Sequence, residues 1–342
     1  MTTSTRTTTG RWRRIAVAAT ALSLVAAACG SDDDGDSGDD TSDTEAPADG
    51  DETESTEAMT EDSEAMTEGS EAPDEGGDDA AAASGLLGEL QEAGTVTVGL
   101  ANEIPYGYET EEGEIEGEAP DVAAAVLAEL GIDNIEAEVV DFGALIPGLQ
   151  AGQYDMIAAG MFITPERAEQ IIFSDPDYCG DYSFAVAEGN PEGIGGGFDS
   201  IVETGATLAV LSGAVDETYA ADAQVPEDQI ELFADVNAQY DALLAGRVDA
   251  VGGTSLTVNN QTEANEGIEA TDAFIPLDAD GNEVYGCGGF GFTDQDFRDA
   301  FNDVLHEKQD DGTVMEIVTS YGFSEQAVET AAGLTVEDLT GG

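Results

Sequence analysis

The sequence predicts an α/β fold of two similar lobes, and three observations carry that expectation. Short β-branched runs alternate with stretches whose apolar residues recur at helical spacing, a pattern that implies mainly parallel sheets. The alternation restarts at Thr207. Gly-Leu-Gln-Ala-Gly-Gln-Tyr-Asp at 148–155 also echoes Ala-Leu-Leu-Ala-Gly-Arg-Val-Asp at 242–249. Each copy places a helix end, a glycine turn and a buried strand in that order.

The elements follow along the chain. Thr95–Leu100 is an opening strand, and Asp121–Leu130 is a helix that stops at Gly131. Ile135–Val140 alternates as a strand, Leu145–Ala151 is helical and Tyr154–Ala158 is a strand again. In the second round, strands at Thr207–Leu211, Ile230–Phe233 and Val248–Val251 enclose helices at Val215–Ala221 and Asn237–Ala245. Tyr178–Ala187 and Val284–Phe292 are strand-like and bracket this second round, which makes them the expected hinge crossings. Boundaries are therefore expected at 1–28 for a leader, 29–84 for a linker, 85–180 with 288–342 for lobe 1, and 181–287 for lobe 2. A ligand of such a fold sits in the cleft between lobes, near strand ends and helix N-termini, and closure is a hinge motion.

The leader is read from Arg11, Arg13 and Arg14, which precede an apolar run from Ile15 to Ala28. A basic start, an apolar run shorter than a membrane span and a small-residue exit describe an export signal. Val25-Ala-Ala-Ala-Cys29-Gly30 resembles a bacterial lipobox, although Ala26 departs from the more usual leucine. That resemblance implies lipidation of Cys29 and an extracytoplasmic location on the outer face of the cell membrane. From Ser31 to Ser84 the chain is almost wholly Asp, Glu, Ser, Thr, Gly and Ala, with no aromatic residue. Such a segment buries too little apolar surface to offset the entropy of ordering, and reads as a self-repelling tether.

The formal net charge is −67. Arg6, Arg11, Arg13 and Arg14 lie in the leader, so the mature chain keeps Arg167, Arg247, Arg298 and Lys308 as its basic residues. An acidic surface of this kind repels nucleic acid and anionic lipid, and it suits a salty medium that screens self-repulsion. Cys179 and Cys287 form an even pair in an exported chain, either bridged or present as two buried thiols. The single histidine, His306, has no metal-ligand cluster around it, so no metal or cofactor is expected. No Ser/His/Asp, Cys/His or paired-carboxylate signature stands out, and an enzyme is therefore not expected.

Gly152-Gln-Tyr-Asp-Met-Ile-Ala-Ala-Gly-Met-Phe-Ile-Thr-Pro-Glu-Arg167, followed by Phe173-Ser-Asp-Pro-Asp-Tyr178, resembles extracellular solute-binding proteins of family 3. These are the receptors of polar amino-acid ABC importers. The resemblance implies the type II periplasmic-binding-protein fold with two hinge crossings, a monomeric receptor and an importer permease as partner. More narrowly, Ala101-Asn-Glu-Ile-Pro-Tyr-Gly-Tyr108, Gly117-Glu-Ala-Pro-Asp121, Asp141-Phe-Gly-Ala-Leu-Ile-Pro-Gly148 and Ala159–Arg167 resemble its ectoine/hydroxyectoine-binding branch.

A ligand of that branch is a compact zwitterion, a ring carrying delocalised positive charge with one carboxylate. A guanidinium grips a carboxylate with two parallel bonds, which suits Arg167. Tyr106, Phe142 and Phe162 match the branch's three aromatic positions, and aromatic faces hold a diffuse cation at about 0.5–2 kcal/mol each. Glu103 matches the carboxylate that accepts the ring N–H. Ser212-Gly-Ala-Val215 resembles the helix-start loop whose N–H groups reach the ligand carboxylate, which brings in Ala214 and Val215. Thr254 stands where amino-acid binders usually place an acid for the α-ammonium, and its presence argues for a ring-amidine ligand. The alternatives are a polar or cationic amino acid, or a betaine-like solute.

Overall fold

A computed structural model describes residues 85–341. The expected leader, Cys29 and the acidic tether lie outside the described residues. Helix α1 (Leu86–Ala93) leads into β1 (Thr95–Leu100), the short strands β2 (Tyr108–Glu109) and β3 (Ile115–Glu116), α2 (Glu118–Glu129), β4 (Asn134–Val139) and α3 (Leu145–Gln150). Then come β5 (Met156–Phe162), α4 (Pro165–Ala168), β6 (Ile172–Phe173) and β7 (Tyr178–Gly180). The inserted half comprises β8 (Tyr182–Ala187), α5 (Phe198–Thr204), β9 (Leu208–Leu211), α6 (Val215–Asp222), β10 (Ile230–Phe233), α7 (Val236–Leu244), β11 (Ala250–Thr254), α8 (Ser255–Ala264) and β12 (Ile268–Ala270). The chain returns through β13 (Gly286–Phe292) and ends in α9 (Gln295–Asp310), α10 (Thr313–Ser320), α11 (Glu325–Ala331) and α12 (Val336–Thr340).

Two sheets result, ordered β4-β1-β5-β13-β6 with β7 also on β13, and β10-β9-β11-β8-β12. Each is parallel at one end, through β1, β4 and β5 or through β9, β10 and β11. Each turns antiparallel where the chain crosses between lobes, because β13 opposes β5, β6 and β7, and β8 opposes β11 and β12. The expectation of mainly parallel sheets is corrected to that extent: a strand that returns from the other lobe enters against the run of its neighbours.

The internal echo has a common structural cause. Gly152 and Gly246 both take the left-handed conformation, at φ 68° and 66°, and end a helix. Three residues on, Asp155 and Asp249 each accept a hydrogen bond at 2.8 Å from a backbone N–H of the neighbouring strand region, Thr97 within β1 or Thr207 just before β9. In each lobe a carboxylate thus sits where the parallel pairing begins, at Val98 with Met156 and at Leu208 with Ala250. The strands that follow start two residues later than the sequence suggests, at Met156 and Ala250, and run on to Phe162 and Thr254. That shift carries both residues to the cleft ends of their sheets.

At the crossing, Cys179 and Cys287 are direct cross-strand partners and are joined by a disulfide. Ala331 of α11 packs on it, with Leu334 and Leu339 partly covering the cluster. Strand β13 is rich in glycine and wholly buried. A Cβ at Gly286 would lie 1.8 Å from the Phe162 ring, so the bare backbone there is what lets that ring lie across the strand. Aromatic clusters fill both lobes, with Phe290, Phe292, Phe297 and Phe301 in the first and Tyr182, Phe184, Phe198 and Phe274 in the second. No helix among the described residues is long and apolar enough to cross a membrane.

Candidate functional site

One cleft between the lobes collects all eight sequence-predicted ligand residues: Glu103, Tyr106, Phe142, Phe162, Arg167, Ala214, Val215 and Thr254. Arg167 is placed by local capping. Thr164 caps α4 by accepting a hydrogen bond from the Arg167 backbone N–H, and Pro165 opens the helix. The side chain then turns into the cleft, where it is 7% exposed. Its guanidinium donates to the Phe162 carbonyl at 2.6 Å and to the Gly213 carbonyl at 2.9 Å, and lies 5.5 Å from the centre of the Phe142 ring.

Charge partners set Arg167 apart. Arg247 pairs with Glu231 at 2.6 Å, Arg298 with Asp299 at 2.7 Å and Lys308 with Glu129 at 2.6 Å. Among the described residues Arg167 forms no ion pair, although it is the buried one of these four cations. Burial lowers its pKa to about 10, with the nearby Asp216 carboxylate working the other way, so it stays charged at neutral pH. A buried guanidinium held only by neutral carbonyls and a ring face keeps its affinity for a carboxylate unspent.

The opposite wall is a directed chain of hydroxyls. Tyr106 donates to Thr254 Oγ1 at 2.9 Å, Thr254 to Thr257 Oγ1 at 3.1 Å, and Thr257 to Glu103 Oε1 at 2.7 Å. Tyr106 and Glu103 come from the first lobe and the two threonines from the second, so the chain ties the lobes together. Desolvation raises the Glu103 pKa to about 7; the Thr257 hydrogen bond opposes the rise and the Asp216 charge adds to it. The Tyr106 ring lies against Gly160, whose φ of 62° and missing Cβ leave it room, and packs on Tyr178 at 5.4 Å and Phe323 at 5.5 Å. The lobes also meet backbone to backbone, since a Cβ at Gly213 would lie 2.7 Å from the Gly143 Cα.

The Ala214 N–H donates to the Leu211 carbonyl at 3.1 Å, and the Gly213 N–H donates to Glu217 at 2.7 Å. The start of α6 therefore meets Arg167 through the Gly213 carbonyl and lines the cleft with Ala214 and Val215. Glu103 is joined in the cleft by a second carboxylate. Asp216, in the first turn of α6, also lines the cleft. It accepts from the Tyr182 hydroxyl at 2.6 Å and the Leu211 N–H at 3.3 Å, and burial raises its pKa to about 6. Sequence reasoning missed it because an acid after a glycine turn reads as an ordinary first-turn helix residue. Thr257, Gln239 and Tyr240 were missed as well, since their spacing on α8 and α7 reads as packing.

His306 is about half exposed and bonds Asp175 through Nε2 at 2.9 Å. Asp175 also accepts from the Val336 N–H at 2.9 Å, which fastens the last helix. No group of three or more metal-ligating side chains occurs among the described residues.

Comparison with known proteins agrees with this architecture. A probable amino-acid ABC transporter periplasmic-binding protein of Sinorhizobium fredii (strain NBRC 101917 / NGR234), y4tE, is 32% identical over 257 residues, covering 74% of this chain and 85% of that protein. The lysine/arginine/ornithine-binding periplasmic protein of Escherichia coli K12 is 30% identical over 53% of this chain and 69% of its own. Among solved structures, EhuB in complex with hydroxyectoine superposes with a TM-score of 0.67 at 31% identity, over 74% of this chain and 97% of that one. An ancestral arginine-binding protein bound to glutamine gives 0.59 at 26% identity, over 67% and 98%. These relatives are solute-binding proteins rather than enzymes. Residues 96–325 match the bacterial extracellular solute-binding proteins, family 3, and the chain belongs to that family as a substrate-binding protein of the amino-acid ABC transporter type.

Proposed function

We propose that the protein captures a small organic zwitterion of the ectoine or hydroxyectoine type for an ABC importer. The observation that carries this reading is the buried Arg167, which has no ion pair among the described residues and faces an interlobe cleft walled by Tyr106, Phe142 and Phe162. The guanidinium is suited to one carboxylate, the aromatic faces to a diffuse cation, and Glu103 to the ring N–H. A neighbouring solved structure, EhuB, holds hydroxyectoine. We also assign residues 1–28 to an export signal, Cys29 to a lipid anchor on the outer face of the membrane and 29–84 to a tether. Residues 85–180 with 288–342 form one lobe of a monomeric receptor, and 181–287 the other.

A second reading, a polar amino acid, draws on Asp216. A second buried carboxylate in the cleft suits an α-ammonium or a cationic side chain, and the E. coli relative is named for lysine, arginine and ornithine. Isothermal titration of the purified protein with ectoine, hydroxyectoine, glycine betaine, arginine and glutamine separates the two. Tight binding of the ectoines supports the first reading. Heat from an amino acid alone rejects it in favour of the second.

A further inference from the structure

Helix α7 brings into the cleft two uncharged polar side chains that neither the fold nor the reading above uses. Gln239 and Tyr240 both line it, at 2% and 3% exposure. The Tyr240 hydroxyl and the Gln239 amide nitrogen have no hydrogen-bond partner. Buried polar groups are nearly always bonded, and leaving one unmade costs stability. Two such orphans on one wall of a ligand cleft point to an occupant that completes them.

The other walls indicate what that occupant offers. Arg167 is matched to a carboxylate, and Glu103, Asp216 and the aromatic faces are matched to positive charge. What α7 adds is neutral. Tyr240 stands in the field of both Glu103 and Asp216 yet donates to neither, and burial together with those charges keeps its proton on. It is therefore a donor. A primary amide both donates and accepts. The two unpartnered atoms are both donors, and with Arg167 matched to the carboxylate they complement a neutral accepting oxygen, which a hydroxyl group supplies.

We propose that Gln239 and Tyr240 form a subsite for a hydroxyl substituent on the ligand, so that the receptor prefers a hydroxylated solute to its unhydroxylated counterpart. This rests on the ectoine-type reading of the cleft and extends it to the choice between hydroxyectoine and ectoine. A site built to bond a hydroxyl discriminates against the analogue lacking it because its own buried groups are then left unpaired.

The test is titration of the full chain and of two variants, Tyr240→Phe and Gln239→Met, each with ectoine and hydroxyectoine; the readout is the ratio of the two dissociation constants. The unsubstituted protein should favour hydroxyectoine by about tenfold, and each variant should bring the ratio to within about twofold of one. Thermal unfolding without ligand gives an independent check. Tyr240→Phe removes an unpartnered hydroxyl, so its midpoint should hold or rise, whereas a hydroxyl serving the fold alone would give a lower midpoint and an unchanged ratio. A ratio near one in the unsubstituted protein, or one that survives both variants, overturns the subsite and leaves the zwitterion reading standing. Failure of both ectoines to bind overturns the two together.

Discussion

Replacing Arg167 by methionine separates binding from folding more cleanly than other changes in the cleft. The side chain is nearly the same length, so the volume is kept while the charge is removed. Truncating one partner of a buried, hydrogen-bonded charge pair costs about 2–5 kcal/mol of binding, which is about 30- to 4,000-fold in Kd. Without ligand the balance differs. The guanidinium is held by the Phe162 and Gly213 carbonyls and no carboxylate, and burial has lowered its pKa from its ordinary value to about 10. A shift of that size corresponds to roughly 3 kcal/mol weighing against the charged form in the fold. Methionine relieves that term and leaves two carbonyls without a donor, so ligand-free stability should stay level or rise slightly. Titration calorimetry reads the first effect and urea unfolding the second. A Kd within about threefold of the unsubstituted protein, or a ligand-free loss above about 2 kcal/mol, would refute the assignment and make Arg167 a structural residue.

Other outcomes follow from the same geometry. Glu103 must be ionised to hold a cation, so affinity for a cationic or zwitterionic ligand should rise with pH up to about 7 and level off above, as titrations across pH 5–9 would show. Ligand-free stability should run the opposite way. With the folded pKa raised from 4.5 to about 7, the folded state binds more protons than the unfolded one across that window, so stability falls as pH rises through it. Asp216, raised to about 6, contributes with the same sign. Gly286→Ala drives a Cβ into the Phe162 ring and should cost about 1–3 kcal/mol of stability together with affinity, read by unfolding and titration of the same variant. Reducing the disulfide across a sequence separation of 108 should lower unfolding stability by about 2–5 kcal/mol, measured by urea midpoints with and without reductant.

Much of this was legible in the sequence, though unevenly. Arg167 is marked by its rarity and its motif, and the order of helix end, glycine turn and strand by the internal echo, although both strands begin two residues later than it suggests. The rest depended on which surface faces what. On α7, Val236, Gln239, Tyr240 and Leu243 share one face at helical spacing, and periodicity alone reads all four as core. Three of them, Val236, Gln239 and Tyr240, line the cleft because the first lobe lies opposite. Asp216 is likewise one acid among 75 until the Tyr182 hydroxyl and the Arg167 charge are placed beside it. Thr254 was read for the acid it replaces, whereas its part in the interlobe hydroxyl chain required knowing where Tyr106 and Thr257 fall.

The isolation of Arg167 has a consequence for a chain this acidic. Carboxylates are the protein's most abundant side chains and also the group that the proposed zwitterionic cargo would present, so on that reading the receptor's nearest competitor is itself. The Phe142 ring and the Phe162 and Gly213 carbonyls surround the guanidinium, and Asp216, the carboxylate of the same cleft, is bonded to the Tyr182 hydroxyl and the Leu211 N–H instead of ion-paired to it. An acid introduced at Phe142 would satisfy the guanidinium from within and give a well-folded receptor already occupied by its own side chain.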